Sequence, residues 1–299
     1  MRSYQQTLAR PVEIEGIGLH TGVRARVRLC PAPAYTGLLF RRVDLDGFEI
    51  PAAPRYVAHV SYATTLVRAG VMVATVEHLL AALYACGVDN AIIELDALEV
   101  PILDGSAAPF VELLARAGRR TLDAPRHYLR VRKPIRVGDD RARIVLAPDV
   151  GLRIRCTIEF AHPMIGRQYR ETILTEETFA AELAPARTFG FLEDVQKLRD
   201  MGLIRGGSLQ NAIVLDREGL LNPDGLRFPD EFVRHKMVDL LGDLALIGHP
   251  VLARVDAWRP GHAVNTAAVA TLLRDPTAWE LVAGESVGAV PIGSHAEGA

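Results

Sequence analysis

The sequence predicts an α+β fold built from two domains of similar construction. Three observations lead there: short strand-like segments are followed by helix-period segments, that order occurs twice, and a polar stretch containing Pro, residues 118–126, separates the two runs. A length of 299 residues suits one large or two ordinary domains, and 49% hydrophobic against 23% charged residues implies a packed core.

In the first run, residues 1–70 read as short strands: Val12 to Glu15, Arg24 to Cys30 with Arg alternating with apolar residues, and Gly37 to Val43, divided by turns with Gly and Pro. Thr75 to Cys86 reads as a helix. Thr75 is its expected N-cap, Gly87 its C′ residue, and Val76, Leu79, Leu80 and Leu83 its apolar stripe. Asn90 to Leu95 is a strand, Asp104-Gly105-Ser106 a turn with capping character, and Ala107 to Ala117 a second helix. The second run has strands at Tyr128 to Val131, Ala142 to Ala147 and Leu152 to Ile158, then helices at about Glu176 to Leu183 and Pro229 to Ile247, and a helical run from Gly261 to Arg274. The expected domains are 1–122 and 127–282. Residues 190–221 read as an insertion with a short helix, a Gly206-Gly207-Ser208 turn and a strand at Ala212 to Leu215; residues 283–299, rich in Gly, Ala and Ser, read as a loosely ordered tail.

Composition narrows the function classes. A formal net charge of -2 carries no polyanion-binding signature, so nucleic acid is not an expected partner. Three cysteines, far apart and without a C-x-x-C pair, argue against a disulfide framework or a thiolate zinc site. No apolar leader opens the chain and no run of about 18 apolar residues occurs, so a cytoplasmic monomer without a transmembrane segment is expected.

The segment from Phe232 to Asp243 carries the strongest chemical signal. His235, Asp239 and Asp243 stand four residues apart among Phe232, Val238, Leu241 and Leu244, so on a helix they share a face that would otherwise be core. Burying two carboxylates there is costly unless they bind a metal or accept strong hydrogen bonds. His235 and Asp239 make two ligands of a metal site. His78 is the best third, because Glu77 beside it is the carboxylate a metal hydrolase needs as general base, although the H-E-x-x-H pattern is absent. Three protein ligands leave a fourth position open, the catalytic arrangement. A lone His on a helix is more often structural, and a non-catalytic module clamped by metal is the competing reading; Glu77 argues against it.

Seven ordered motifs point further: Gly16-Ile-Gly-Leu-His20-Thr-Gly22, Thr75-Val-Glu-His-Leu79, Pro101-Ile-Leu-Asp-Gly-Ser106-Ala-Ala-Pro-Phe110, Ala186-Arg-Thr188-Phe-Gly-Phe191, Asp224-Gly-Leu-Arg-Phe228, Phe232-Val-Arg-His-Lys-Met237 and Gly261-His262-Ala263. Over about residues 5–280 the chain resembles the UDP-3-O-acyl-N-acetylglucosamine deacetylases, the zinc amidases of lipid A biosynthesis. That resemblance implies two domains, each a mainly antiparallel sheet layered with helices, with the active site between them. It implies hydrolysis of the N-acetyl group of UDP-3-O-(3-hydroxyacyl)-N-acetylglucosamine to acetate and the free amine, the committed step of that pathway.

Matched motif by motif, the resemblance makes His78, His235 and Asp239 the Zn²⁺ ligands, Glu77 the general base, Thr188 a hydroxyl donor to the oxyanion, His262 a cationic acid or electrostatic stabiliser, and Asp243 the carboxylate that keeps His262 charged. Such ligands also accept Fe²⁺, so the set does not choose the metal. Lys236 is implied at the nucleotide diphosphate or the acyl-sugar end, Arg259, where the family often carries Lys, at the diphosphate, and Phe189 against the nucleotide or sugar. His20 is given a part in the site, though a turn residue of this kind also caps backbone. The insertion is implied to form the acyl passage, with Phe191, Leu192, Val195, Leu203, Gly207, Ser208, Ala212 and Val214 as candidate lining. Without the resemblance Leu203 and Ala212 read as core, and the accepted chain length is not legible.

Overall fold

The structure, a computed structural model, describes residues 1–284. It is α+β, with mainly antiparallel sheets and six α-helices among the described residues. In the first half, a five-stranded sheet runs in the order Val12–Ile17, Arg24–Pro31, Ala91–Leu95, Leu38–Arg42, Phe48–Pro51; only the pairing of Leu38–Arg42 with Ala91–Leu95 is parallel. Period-two alternation explains Arg24–Pro31: Ala25, Val27 and Leu29 point into the core, while Arg24, Arg26 and Arg28 face solvent and pair with Glu15, Asp96 and Glu94. Helices α1 (Glu77–Ala85) and α2 (Ala108–Ala117) pack behind this sheet.

The second half is organised by a seven-stranded mixed sheet whose central strand, Val251–Trp258, pairs with Arg143–Ala147, Leu152–Glu159 and His127–Val131. Helices α3 (Glu176–Thr178), α4 (Leu192–Asp200), α5 (Glu231–Ala245) and α6 (His262–Arg274) follow in chain order. The α1–α5 crossing is the feature that positions the site. A Cβ on Gly242 would lie 2.1 Å from the Glu77 carbonyl oxygen, so glycine is what lets α5 press against the first turn of α1. One continuous apolar core runs through both halves, from Leu29 and Leu83 to Phe232 and Leu241.

Several expectations are corrected. Thr75 is not the N-cap of α1. Val76 occupies that position with no side-chain cap, and Thr75 sits at φ 57° with its hydroxyl donating to Glu99 Oε1 at 2.8 Å. The polar stretch between the two runs is not a loop but a strand, Arg119–Pro125, paired antiparallel with Tyr4–Leu8. Its one side is solvated, which produced the polar composition. Glu176 to Leu183 is one α-turn followed by a π-turn rather than a uniform helix. At the far end, Ala283 closes the strand Trp279–Ala283 and the Gly284 N–H donates to Arg126 O at 2.9 Å, so both belong to the sheet region; residues 285–299 of the expected tail lie outside the described residues. Among the described residues no helix is long and apolar enough to cross a membrane. The three cysteines are free; Cys86 and Cys156 are buried, and burial pushes their thiols up to about 11 and about 12.

Candidate metal and catalytic centre

His78, on the first turn of α1, meets His235 and Asp239, one turn apart on α5. One ligand atom from each lies within 4.8 Å of the others, and all three residues are buried. Asp239 Oδ1 is 3.6 Å from His78 Nε2 and 3.3 Å from His235 Nε2, and the imidazoles stand edge to face with centroids 5.0 Å apart. The donor set fits a divalent cation. His235 Nδ1 lies 3.0 Å from the Ala186 carbonyl, which can only accept, so the ring proton sits on Nδ1 and the Nε2 lone pair faces the cluster. Burial holds His235 down at about 4, against the pull of Asp239, so the ring is neutral as a ligand must be. Burial alone would raise Asp239, but the Lys236 ammonium outweighs it and keeps the carboxylate ionised. Lys236 Nζ donates to Oδ2 at 2.7 Å, leaving Oδ1 toward the histidines.

Glu77 adjoins this cluster. Burial raises its carboxyl, opposed by His262 and His78. Its Oε2 accepts the Thr64 N–H at 3.1 Å and its Oε1 lies 3.6 Å from His262 Nε2. On the far side of the ring, His262 Nδ1 is 2.9 Å from Asp243 Oδ2, which also accepts Asn265 Nδ2 at 2.9 Å. Burial would lower His262, but Asp243 and Glu77 overcome it and lift the imidazolium to about 10. The α5 stripe therefore divides in space: His235 and Asp239 face His78, and Asp243, one turn on, faces His262.

These groups open into a chamber of about 310 Å³ lined by Glu77, His78, Asp239, His262, Thr188 and Lys236 among others. The Thr188 backbone is pinned at both ends, its N–H donating to Gly105 O and its carbonyl accepting from Ile213 N, both at 2.8 Å. Asp104-Gly105-Ser106 forms the expected turn and also supports the site, although Ala107, with no side-chain cap, takes the N-cap position of α2. Asp104 Oδ1 accepts from Ser106, and Gly105, at φ +86°, admits the Asn211 carbonyl where a Cβ would lie 2.2 Å away.

Comparison with known proteins gives the family. The family model for UDP-3-O-acyl N-acetylglycosamine deacetylase (LpxC) matches residues 5–274. The chain belongs to that family. Relatives named UDP-3-O-acyl-N-acetylglucosamine deacetylase include one from Solibacter usitatus, 53% identical over 93% of this chain and 94% of its own. One from Myxococcus xanthus is 50% identical over 93% and 89%, and one from a Shewanella strain (W3-18-1) 44% identical over 97% and 96%.

A second cavity adjoins the first. An apolar passage of about 560 Å³ shares Leu19, Tyr62, Thr188, Phe189 and Lys236 with the ligand chamber. The structure places His20, Phe191, Leu192, Val195, Gly207, Ser208, Ala212 and Val214 on its wall. Leu203 does not line it; Ile204 does, at φ 48°, because the chain turns there and presents the neighbouring side chain. Ala212, which read as core without the resemblance, is on the wall. Gly206 serves packing rather than the passage, since a Cβ there would lie 2.3 Å from Gly18 O; Gly206 N and Arg205 N bind Leu19 O and His20 O. Both ring nitrogens of His20 are buried and make no close hydrogen bond, and burial lowers its pKa, opposed by Glu99 and the Tyr62 backbone.

A third recess, about 250 Å³, is lined by Arg141, Phe160, Lys236 and Arg259 among others, so three spaces meet at Lys236. Arg259 sits at φ 47°, a conformation costing about 1–3 kcal/mol and held by its N–H to Thr157 O at 2.7 Å. Phe189 stacks edge-on to Phe232 and Phe160, with Lys236 Nζ 5.7 Å from its ring centre. Arg234 is partly buried, binding Asp230 and Glu182 O and lying over the Phe228 ring. Sequence reading passed over Thr64, Glu99, Tyr62, Phe160 and Arg141. Glu99 had a local signal: an acidic residue in an apolar run, here fully enclosed and accepting from His20 N, Thr21 N and Thr75 Oγ1.

Proposed function

We propose that this protein hydrolyses the N-acetyl group of UDP-3-O-(3-hydroxyacyl)-N-acetylglucosamine with Zn²⁺ held by His78, His235 and Asp239. The carrying observation is the buried His-His-Asp set, one ligand atom of each within 4.8 Å of the others, with Glu77 at its edge. A bound cation supplies Lewis-acid polarisation of the acetyl carbonyl and a water of lowered pKa. Glu77, its carboxyl raised by burial, takes the proton from the attacking water. The Thr188 hydroxyl, on the wall shared by both cavities, donates to the developing oxyanion. His262, held protonated, delivers a proton from Nε2 to the glucosamine nitrogen as the C–N bond breaks, giving acetate and the free amine.

The three spaces around Lys236 match the three parts of this substrate. The acetamide lies in the polar chamber, the 3-O-acyl chain in the apolar passage and the diphosphate beside Lys236 and Arg259, with Phe189 against the sugar or nucleotide. On this reading the chain divides into domains 1–122 and 127–282, each contributing ligands, and the protein works as a cytoplasmic monomer. The test is acetate release by metal-loaded protein from the UDP-linked substrate and from its nucleotide-free counterpart. Release from the first and a much lower kcat/KM for the second are expected. A protein with one metal per chain that releases acetate from neither contradicts the proposal.

A further inference from the structure

Thr64 lies between the two groups given proton-transfer roles above, and no part of the proposed mechanism uses it. It is fully buried, immediately before the strand Thr65–Arg68. Three of its atoms are committed. Its N–H donates to Glu77 Oε2 at 3.1 Å, and its carbonyl accepts the N–H of Val76, the residue before Glu77, at 3.3 Å. Its hydroxyl donates to Asp243 Oδ1 at 2.6 Å and lies 3.1 Å from His262 Nδ1. Asp243 has no exposed surface, and its other oxygen is occupied by His262 Nδ1 and Asn265 Nδ2. Without the Thr64 hydroxyl, Oδ1 would lose this partner in a place water reaches poorly, and the carboxylate would be free to rotate away from the ring.

We propose that Thr64 is a positioning residue that holds the Asp243 carboxylate, and through it the His262 ring, in fixed relation to Glu77. One residue thereby spaces the base from the acid: its backbone holds Oε2 of Glu77, its hydroxyl holds Oδ1 of Asp243, and Glu77 Oε1 and His262 Nε2 are left facing each other at 3.6 Å. The inference rests on the deacetylase reading for its kinetic consequence and on geometry alone for its structural one. Valine is the informative replacement, because it keeps the backbone contacts and nearly the same shape while removing the O–H. Serine keeps the O–H and loses only a methyl group.

The test compares wild type with Thr64→Val, Thr64→Ser, Asp243→Asn and the Thr64→Val/Asp243→Asn double variant. Steady-state kinetics on the UDP-linked substrate, metal stoichiometry and the low-field proton resonance of the His262 Nδ1–H are measured for each. Thr64→Val is expected to lower kcat by about 10- to 100-fold with KM within about twofold and metal content unchanged. Thr64→Ser should stay within about threefold of wild type, and the valine change should cost little once Asp243 is already Asn. The low-field resonance should persist in Thr64→Ser and broaden or vanish in Thr64→Val. Wild-type kcat in Thr64→Val, equal impairment of the serine and valine variants, or full additivity with Asp243→Asn would each overturn the proposal. If wild type itself releases no acetate, the deacetylase reading fails instead. The resonance then decides for Thr64: its loss in the valine variant supports the positioning role, and an unchanged signal refutes it.

Discussion

The ligand chamber and the apolar passage share a wall but are built in opposite ways. The chamber hangs on α5, in which 13 of 15 residues are buried, crossing α1 at a glycine contact with no room for a methyl group. The passage is partly walled by α4, in which no residue is buried and Leu192 is 46% exposed. In the chamber most polar atoms have partners that fix tautomer and charge. Along the passage, contacts are apolar and non-directional. On the proposed reading, chemistry that depends on angstrom placement sits on rigid, over-determined helices, whereas recognition of a flexible chain needs only a surface of the right shape.

The largest effect should come from breaking the chamber. Replacing His78 or Asp239 by Ala removes a ligand and is expected to abolish metal retention and acetate release together, as read by metal analysis beside the assay. Glu77→Gln should retain the metal and lose about 10²- to 10⁴-fold in kcat. Next is Asp243→Asn. His262 is held at about 10 by carboxylates that outweigh its burial, so the protonated ring persists through neutral pH and is lost as pH rises through that value. Removing the Asp243 charge should bring the basic limb of the pH profile down toward the ordinary imidazole value. The sign for stability agrees: a raised His pKa contributes fully below the unfolded value near 6.5, and the contribution drains away up to about 10.

A smaller effect sharpens the contrast from the packing side. Gly242→Ala forces a methyl against the Glu77 carbonyl and should cost about 1–3 kcal/mol in denaturant unfolding, with a fall in kcat, whereas Gly190→Ala, which meets nothing within 4 Å, should cost far less. The smallest effect belongs to the passage. Val195→Ala should lower kcat/KM for a long-chain substrate by only about 1–2 kcal/mol and leave a short-chain substrate unaffected. A large loss for both chain lengths would show that the passage is not the separable, pliable region described.

How legible the two regions were from sequence follows the same contrast. His235, Asp239 and Asp243 were visible as costly polar groups at helical spacing on an apolar face, and Glu77-His78 as an acid beside a histidine. The roles of Thr188, His262 and the passage residues came from motif resemblance, since a hydroxyl or a valine carries no chemical signature of its own. Thr64 was hidden because its main contacts are at sequence separations of 13, 179 and 198. Strand Arg119–Pro125 was masked by one solvated side, and Thr75 by a left-handed backbone that propensity does not anticipate. Ile204 displaced Leu203 for a similar reason: loop direction is set by tertiary packing, not by composition.

On the proposed reading, the rigid chamber performs the chemistry with Glu77 as the base beside a His78–His235–Asp239 metal site. Single-turnover acetate release from UDP-3-O-(3-hydroxyacyl)-N-acetylglucosamine by metal-replete wild type and Glu77→Gln tests it most directly. Equal metal content with release slowed at least about 100-fold in the variant is the predicted result. Equal rates at equal metal content would contradict it.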